Sequence, residues 1–203
     1  MTSPAPQPSP SATIQAGPRI GLTAQLLTGL VMCLAAAPII WLQKEPKAVF
    51  TGPVPLLSQL LVGHVLALVA ALGSYALFRL TKDSASTART VESYSRLDLR
   101  GLNPLWISIG AAVGEELLFR AALQPFLGVW VVSLLFLLTH VPVYRFRKLD
   151  RATLVQAGGI FLCSVMLGFI FQQVGLIAAM LVHLWIDVVG LVAVRSIIQK
   201  RGV

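Results

Sequence analysis

The stretch from Leu105 to Val132, LWISIGAAVGEELLFRAALQPFLGVWVV, is apolar enough for a lipid bilayer except near its middle. Two adjacent glutamates, Glu115 and Glu116, stand there, and Arg120 follows about one helical turn later. A charged side chain at membrane depth costs roughly 2.5–3.5 kcal/mol on insertion scales, so a chain that keeps several has a use for them or pairs them internally. A buried ion pair and a reactive site are the two interpretations to be separated.

The composition of the whole chain indicates an integral membrane protein. Of its 203 residues, 56% are hydrophobic and 12% are charged, whereas soluble domains have roughly 45–50% apolar residues. Apolar windows close to the length that a helix needs to cross a bilayer cover residues 20–42, 55–78, 105–123, 126–144, 153–171 and 174–197. The third and fourth windows are separated by Gln124 and Pro125, and the fifth and sixth by little more than Gln172 and Gln173, so each pair should form a tight hairpin. The sequence therefore predicts an all-α, polytopic membrane bundle of about six transmembrane helices.

The basic residues predict how these spans are oriented. Thirteen of the sixteen Lys and Arg lie in the N-terminal segment, the loops after the second and fourth spans, and the C-terminal segment. By the positive-inside rule, this asymmetry places both termini in the cytoplasm and requires an even number of spans. The net charge is +8, but charges in short juxtamembrane loops meet lipid phosphate first. We therefore expect membrane lipid as a partner and no nucleic acid.

Two segments outside the spans have their own composition. Residues 1–18 contain five prolines among small and polar residues, which predicts a disordered cytoplasmic tail. Residues 19–203 would then form the six-span membrane domain. Within it, the loop from Arg79 to Asn103 is polar, and we expect a short surface helix at about residues 85–97.

Three of the eight acidic residues and all three histidines fall inside the predicted spans: Glu115, Glu116, Asp187, His64, His140 and His183. Glu116 and Arg120 are four residues apart with the acid first, the favourable order for an ion pair on one helix face. Glu115 points about 100° away from Glu116, where Arg120 cannot easily reach it. Because a desolvated carboxylate is a stronger base than one in water, Glu115 is the candidate general base. His64 has no polar neighbour at helical spacing and is predicted to be structural, bonded to a neighbouring helix.

Two further pairs stand at helical spacing. His183 and Asp187 share one helix face, and Phe136 lies one turn from His140, where it can pack beside the imidazole. With a rise of about 1.5 Å per residue, these groups and Glu115 reach similar depths, at or near the cytoplasmic half of the bilayer. We therefore expect them to share one water-filled pocket.

Three motifs on these helices resemble those of a known family. EELLFR fits EExxxR, FLLTH fits FxxxH, and HLWID fits HxxxN/D, in that order on three spans. The sequence resembles the CPBP family of CAAX proteases and bacteriocin-processing enzymes, also called the ABI family, over a core of about residues 105–190. The resemblance implies an intramembrane endopeptidase, and together with the predicted orientation of the spans we expect a multi-pass protein of the cell membrane with its active site open toward the cytoplasm. Its substrate would be a peptide or protein that is lipidated or membrane-associated.

The resemblance also implies a role for each motif residue. Glu115 would activate the attacking water and His140 would hold that water, while His183 and Asp187 would stabilise the oxyanion or complete the polar site. The supporting residues would be Glu116, Arg120 and Phe136. Asp187 stands where many members have Asn, and an ionised carboxylate repels an oxyanion. Three roles would avoid this repulsion: Asp187 is protonated, or it orients His183, or it binds a metal.

Other chemistries remain open from the sequence. Zinc held by Glu115, His140, His183 and Asp187 is the alternative to a cofactor-free site, but there is no HExxH and the ligands would come from three helices. We favour water activated by glutamate without a cofactor. A small proton-coupled carrier could use the same groups as a relay, although no internal repeat is visible. A non-catalytic membrane partner or immunity protein of the same fold is the third alternative, against which the intact ionisable set argues.

Overall fold

The computed structural model describes residues 19–144, 146 and 150–200, and in these the chain is all-helical, as predicted. The helices are α1 (Leu22–Trp41), α2 (Ala48–Thr51), α3 (Leu56–Thr81), α4 (Ala85–Tyr94), α5 (Asn103–Glu115), a π-helical segment (Glu116–Leu123), α6 (Gln124–Tyr144), α7 (Arg151–Gln173) and α8 (Leu176–Lys200). The short helix predicted at about residues 85–97 is α4. The predicted disordered tail, residues 1–18, lies outside the described residues.

Five helical stretches of the described chain are long and apolar enough to cross a membrane: α1, α3, the continuous stretch from Asn103 to Tyr144, α7 and α8. The protein is therefore a multi-pass membrane protein. Five such stretches stand where about six spans were predicted, because the predicted third and fourth spans are joined in one stretch of 42 residues.

This long stretch turns back on itself at Gly128, whose backbone is non-helical (φ 76°, ψ 167°). In a straight helix, residues 119 and 136 would be about 26 Å apart. The ring centroids of Phe119 and Phe136 are instead 5.1 Å apart, so the two limbs form a tight hairpin. The predicted break at Gln124 and Pro125 is wrong, because the turn uses a positive φ that only glycine adopts readily.

The helix continues through Pro125 because a distant side chain replaces the missing backbone donor. Pro125 has no N–H to bond to the carbonyl of Ala121 four residues earlier. The side-chain amide of Gln43, in the loop after α1, donates to the oxygens of Ala121 and Ala122 at 2.7 and 3.4 Å. The adjoining π-helical segment carries Glu116 and Arg120, and such segments frequently occur at functional sites.

α1 and α5 meet at glycines. A Cβ at Gly114 would lie 2.7 Å from the carbonyl oxygen of Gly29, and a Cβ at Gly29 would clash with that of Gly110. Gly110 and Gly114 thus form a small-xxx-small pattern, which lets helix backbones approach closely within a membrane. The contact fixes the position of α5, and with it the neighbouring Glu115.

We expect Gly114→Ala to lower the free energy of unfolding by about 1–3 kcal/mol, because the added methyl group overpacks the α1–α5 contact. Gly158→Ala is the matched control, since a Cβ at that position on α7 meets nothing within 4 Å. Unfolding of both variants in detergent measures the difference. Equal stability of the two variants would contradict the close contact.

The predicted cytoplasmic segments meet at one end of the bundle. Next to α1, the N–H of Ile20 donates to the carbonyl of Arg96 at 2.7 Å, and Arg195 near the end of α8 donates to the carbonyl of Gly101 at 2.8 Å. At the opposite end, the side chain of Gln59 joins the loop before α3 to the start of α8, where it accepts from the N–H of Ile177 at 3.3 Å. The structure thus gathers the basic segments on one side, and the compartment that this side faces stays a prediction.

Candidate active site

Glu116 and Arg120 form the predicted ion pair, and both side chains are 0% exposed. Arg120 Nε lies 3.3 Å from Glu116 Oε2. A terminal nitrogen of Arg120 donates to the carbonyl oxygen and the hydroxyl of Ser164 on α7, at 3.1 and 3.0 Å. The guanidinium carbon also lies 4.8 Å from the centre of the Phe136 ring, within the range of a cation–π contact. The pair therefore holds the π-helical segment against α6 and α7.

His183 on α8 lies among three carboxylates. Its Nδ1 is 2.8 Å from Oε1 of Glu116, and its Nε2 is 3.8 Å from Oε2 of Glu115 and 3.6 Å from Oδ2 of Asp187. The structure thus brings together Glu115, Glu116, His183 and Asp187, three of them predicted to share a pocket. The Glu116–His183 bond was not predicted, because sequence spacing paired Glu116 with Arg120 alone.

The three carboxylate side chains differ in how much of their surface is exposed to solvent. Glu116 is fully covered, whereas the side chains of Glu115 and Asp187 are 15% and 32% exposed. Oε2 of Glu115 is covered and has no hydrogen-bond partner among the described residues. Such a buried oxygen requires an explanation, and a bound water or substrate group would supply its missing donor. Oε2 of Glu116 also lacks a hydrogen bond, but it lies 3.3 Å from Arg120 Nε, so Glu115 is the carboxylate whose covered oxygen has no arginine partner among the described residues.

His140 on α6 is half-buried and has a fixed orientation. Its Nδ1 lies 2.8 Å from the carbonyl oxygen of Phe136, which can only accept, so Nδ1 carries the proton and Nε2 is free. The rings of Phe136 and His140 stack with centroids 4.4 Å apart, as the spacing predicted. Phe136 also contacts the His183 ring edge-on at 6.3 Å, so it packs against both histidines of the site.

The four side chains considered as zinc ligands do not fit a metal as they are arranged. Zinc sites need about three or four donors at roughly 2.0–2.3 Å from one point. Within the described residues, no three His, Cys, Asp or Glu side chains converge closely enough to hold an ion. The Nδ1 atoms of His140 and His183 are also both engaged with protein oxygens. This arrangement of side chains therefore gives no basis for a metal-assisted reaction step.

His64 lies on the exposed face of α3, apart from the site. Its Nδ1 is 2.7 Å from the carbonyl oxygen of Leu60, one turn earlier on the same helix. The predicted bond to a neighbouring helix is wrong, because this face of α3 points away from the bundle.

Two tyrosines adjoin the site although neither was predicted. The ring of Tyr144 stacks beside that of His140 with centroids 6.1 Å apart, and its hydroxyl is hydrogen-bonded to that of Tyr94 on α4. Burial raises the pKa of Tyr94 well above its usual range, and the charges of Asp187 and Glu115 add to this. Tyr144 could have been found from its spacing of four from His140, but Tyr94 carries no such signal.

Comparison with known proteins identifies a family for part of the chain. Residues 100–189 match the model of a family described as Rce1-like, type II CAAX prenyl endopeptidase. This stretch includes the three motifs and all seven predicted site residues, so the CPBP resemblance is confirmed. No curated protein and no solved structure matched the chain.

Proposed function

Since residues 100–189 are Rce1-like, we propose that this membrane protein is an intramembrane endopeptidase of the CPBP type that uses a water molecule activated by Glu115. The family supports a peptidase acting on a protein or peptide in the membrane. The proposed mechanism is supported mainly by Oε2 of Glu115, which is covered, has no hydrogen-bond partner among the described residues and lies 3.8 Å from Nε2 of His183. A positioned carboxylate of this kind is a suitable general base.

In the proposed reaction, a water molecule binds between Glu115 and His140. One water proton is directed at Nε2 of His140, which is free to accept because Nδ1 donates to Phe136. Glu115 removes the other proton as the water oxygen attacks the carbonyl carbon of the scissile bond. When the C–N bond breaks, Glu115 returns this proton to the leaving nitrogen, so one product gains OH and the other gains H.

His183 is the proposed donor to the oxyanion of the tetrahedral intermediate. With Nδ1 donating to Glu116, Nε2 carries a proton only in the doubly protonated imidazolium, the form that the three surrounding carboxylates favour, and that proton is available to the oxyanion. Asp187 lies 3.6 Å from the same nitrogen, and we assign it the orientation of His183 rather than direct contact with the oxyanion. This assignment accounts for a carboxylate at the position where many members of the CPBP family have an amide.

The substrate is proposed to enter from the end where the basic segments meet, which we expect to be cytoplasmic. Prenylated C-terminal peptides, leader peptides with a double-glycine end and membrane-protein segments are the classes to compare. Purified protein in detergent should cleave at least one class at a defined bond, as read by mass spectrometry of the products. A folded protein that cleaves none of them would contradict the proposed function.

We expect cleavage to be insensitive to metal chelators, because the described residues offer no converging set of ligands. The measurement is the rate of peptide cleavage before and after incubation with EDTA or 1,10-phenanthroline. Loss of activity that added zinc restores would contradict the cofactor-free mechanism, while leaving the assignment as a peptidase intact.

A further inference from the structure

Aromatic rings form a column on one face of α6, beginning inside the site. Phe136, His140 and Tyr144 follow one another at intervals of one turn. The His140 ring is 4.4 Å from that of Phe136 and 6.1 Å from that of Tyr144, measured between centroids, with planes inclined by 29° and 24°. His140 is therefore held between two rings, and its plane depends on both of them.

Tyr144 is in turn held from outside its own helix. Its hydroxyl is hydrogen-bonded to that of Tyr94, and the two ring centroids are 5.6 Å apart. Because burial raises the pKa of Tyr94, its hydroxyl stays protonated at neutral pH and can donate or accept. This bond connects α4, which lies outside the membrane-spanning stretches, to the ring beside His140.

The position of α4, and with it that of Tyr94, is fixed by contacts on two sides of the helix. Val91, one turn before the end of this helix, is buried in an apolar cluster with residues of the following loop, α5 and α8: Leu99, Ile107, Leu191 and Val194. Toward α7, Arg89 forms an ion pair with Asp150 and donates to the hydroxyl of Thr153. The guanidinium of Arg89 and the N–H of Thr153 hold the pKa of Asp150 below its usual range, so the pair is ionised at neutral pH. Apolar and polar contacts thus fix opposite sides of α4.

We propose that Tyr94 and Tyr144 are positioning residues for His140. The hydroxyl pair fixes the Tyr144 ring, and this ring, together with Phe136, fixes the direction in which Nε2 of His140 points. The proposal rests on the proposed function, in which Nε2 holds the attacking water. Neither tyrosine needs to contact the substrate.

The kinetic test uses Tyr94→Phe, Tyr144→Phe and the double variant, which keep the rings and remove only hydroxyls. We expect kcat to fall about threefold to tenfold, the effect of one hydrogen bond, with KM unchanged. The double variant should lose no more than the larger single loss, because both changes remove the same bond. Tyr75→Phe is the matched control, since its hydroxyl accepts from Arg79 on the exposed face of α3. A normal kcat in both folded single variants would overturn the proposal.

A second readout does not depend on activity. The ¹⁵N resonance of His140 Nε2, identified by its loss in His140→Gln, should shift in Tyr94→Phe but not in Tyr75→Phe. An unchanged resonance in folded Tyr94→Phe would overturn the positioning role even if the wild-type protein cleaves peptides. A shifted resonance in a protein that cleaves no peptide would support the coupling of Tyr94 to His140 and would count against the proposed function instead.

Discussion

Glu115→Gln is expected to lower kcat by about a hundredfold to ten-thousandfold, the contribution of a positioned general base. The amide has nearly the same shape as the carboxylate but cannot take the proton from water. Stability should change little, because Oε2 of Glu115 has no hydrogen-bond partner among the described residues. The measurement compares cleavage rates and thermal unfolding of the wild type and the variant in detergent.

The matched control for this change is Glu92→Gln, which makes the same replacement at an exposed position on α4. Its cleavage rate should equal that of the wild type. If folded Glu115→Gln retained the wild-type rate, Glu115 would not be the base. The next candidate would then be Asp187, whose carboxylate is 3.6 Å from the same nitrogen of His183.

Arg120→Met is expected to lower the free energy of unfolding by about 3–5 kcal/mol, because it leaves Glu116 buried without its cationic partner. The change also removes the donor to both oxygens of Ser164. Combining it with Glu116→Gln should recover part of the loss, since no uncompensated charge then remains in the interior. Denaturation in detergent, followed by circular dichroism, measures these differences.

Arg100→Met provides the comparison at the surface. Arg100 pairs with Asp98 at 2.8 Å, as close as many buried pairs, but its side chain is 85% exposed. Exposed ion pairs contribute little to stability because water screens the attraction, so this variant should be nearly as stable as the wild type. An Arg120→Met variant no less stable than Arg100→Met would show that the buried pair contributes little to holding the π-helical segment against α6 and α7.

Local spacing was sufficient to predict much of the fold. Runs of apolar residues predicted where the long helices begin and end, and most of these predicted ends lie within about three residues of the observed ones. The hairpin between the third and fourth predicted spans was misplaced, because the two apolar windows meet at Gln124 and Pro125 whereas the chain turns at Gly128. The structure keeps the helix intact at Pro125 with an amide from Gln43, a contact between residues 78 positions apart that no local pattern signals.

In the site, too, contacts within one helix could be predicted from the sequence, whereas contacts between helices could not. Pairs four residues apart, such as Glu116 with Arg120 and Phe136 with His140, were predicted because a helix places them on one face. The bonds from Glu116 to His183 and from Arg120 to Ser164 join different helices, 67 and 44 positions apart. They depend on how the helices pack and could not be derived from periodicity.

The most direct test of Glu115 as a water activator is a single turnover in H₂¹⁸O, with enzyme in excess over a cleavable peptide. If Glu115 activates water, the new carboxyl terminus of the product should carry one ¹⁸O atom and the enzyme peptide that contains Glu115 should carry none. If Glu115 instead attacked the substrate directly, attack of water on the Glu115 carbonyl of the resulting anhydride would place ¹⁸O in the side chain of Glu115 and leave the new carboxyl terminus unlabelled. Label recovered in Glu115 would contradict the mechanism.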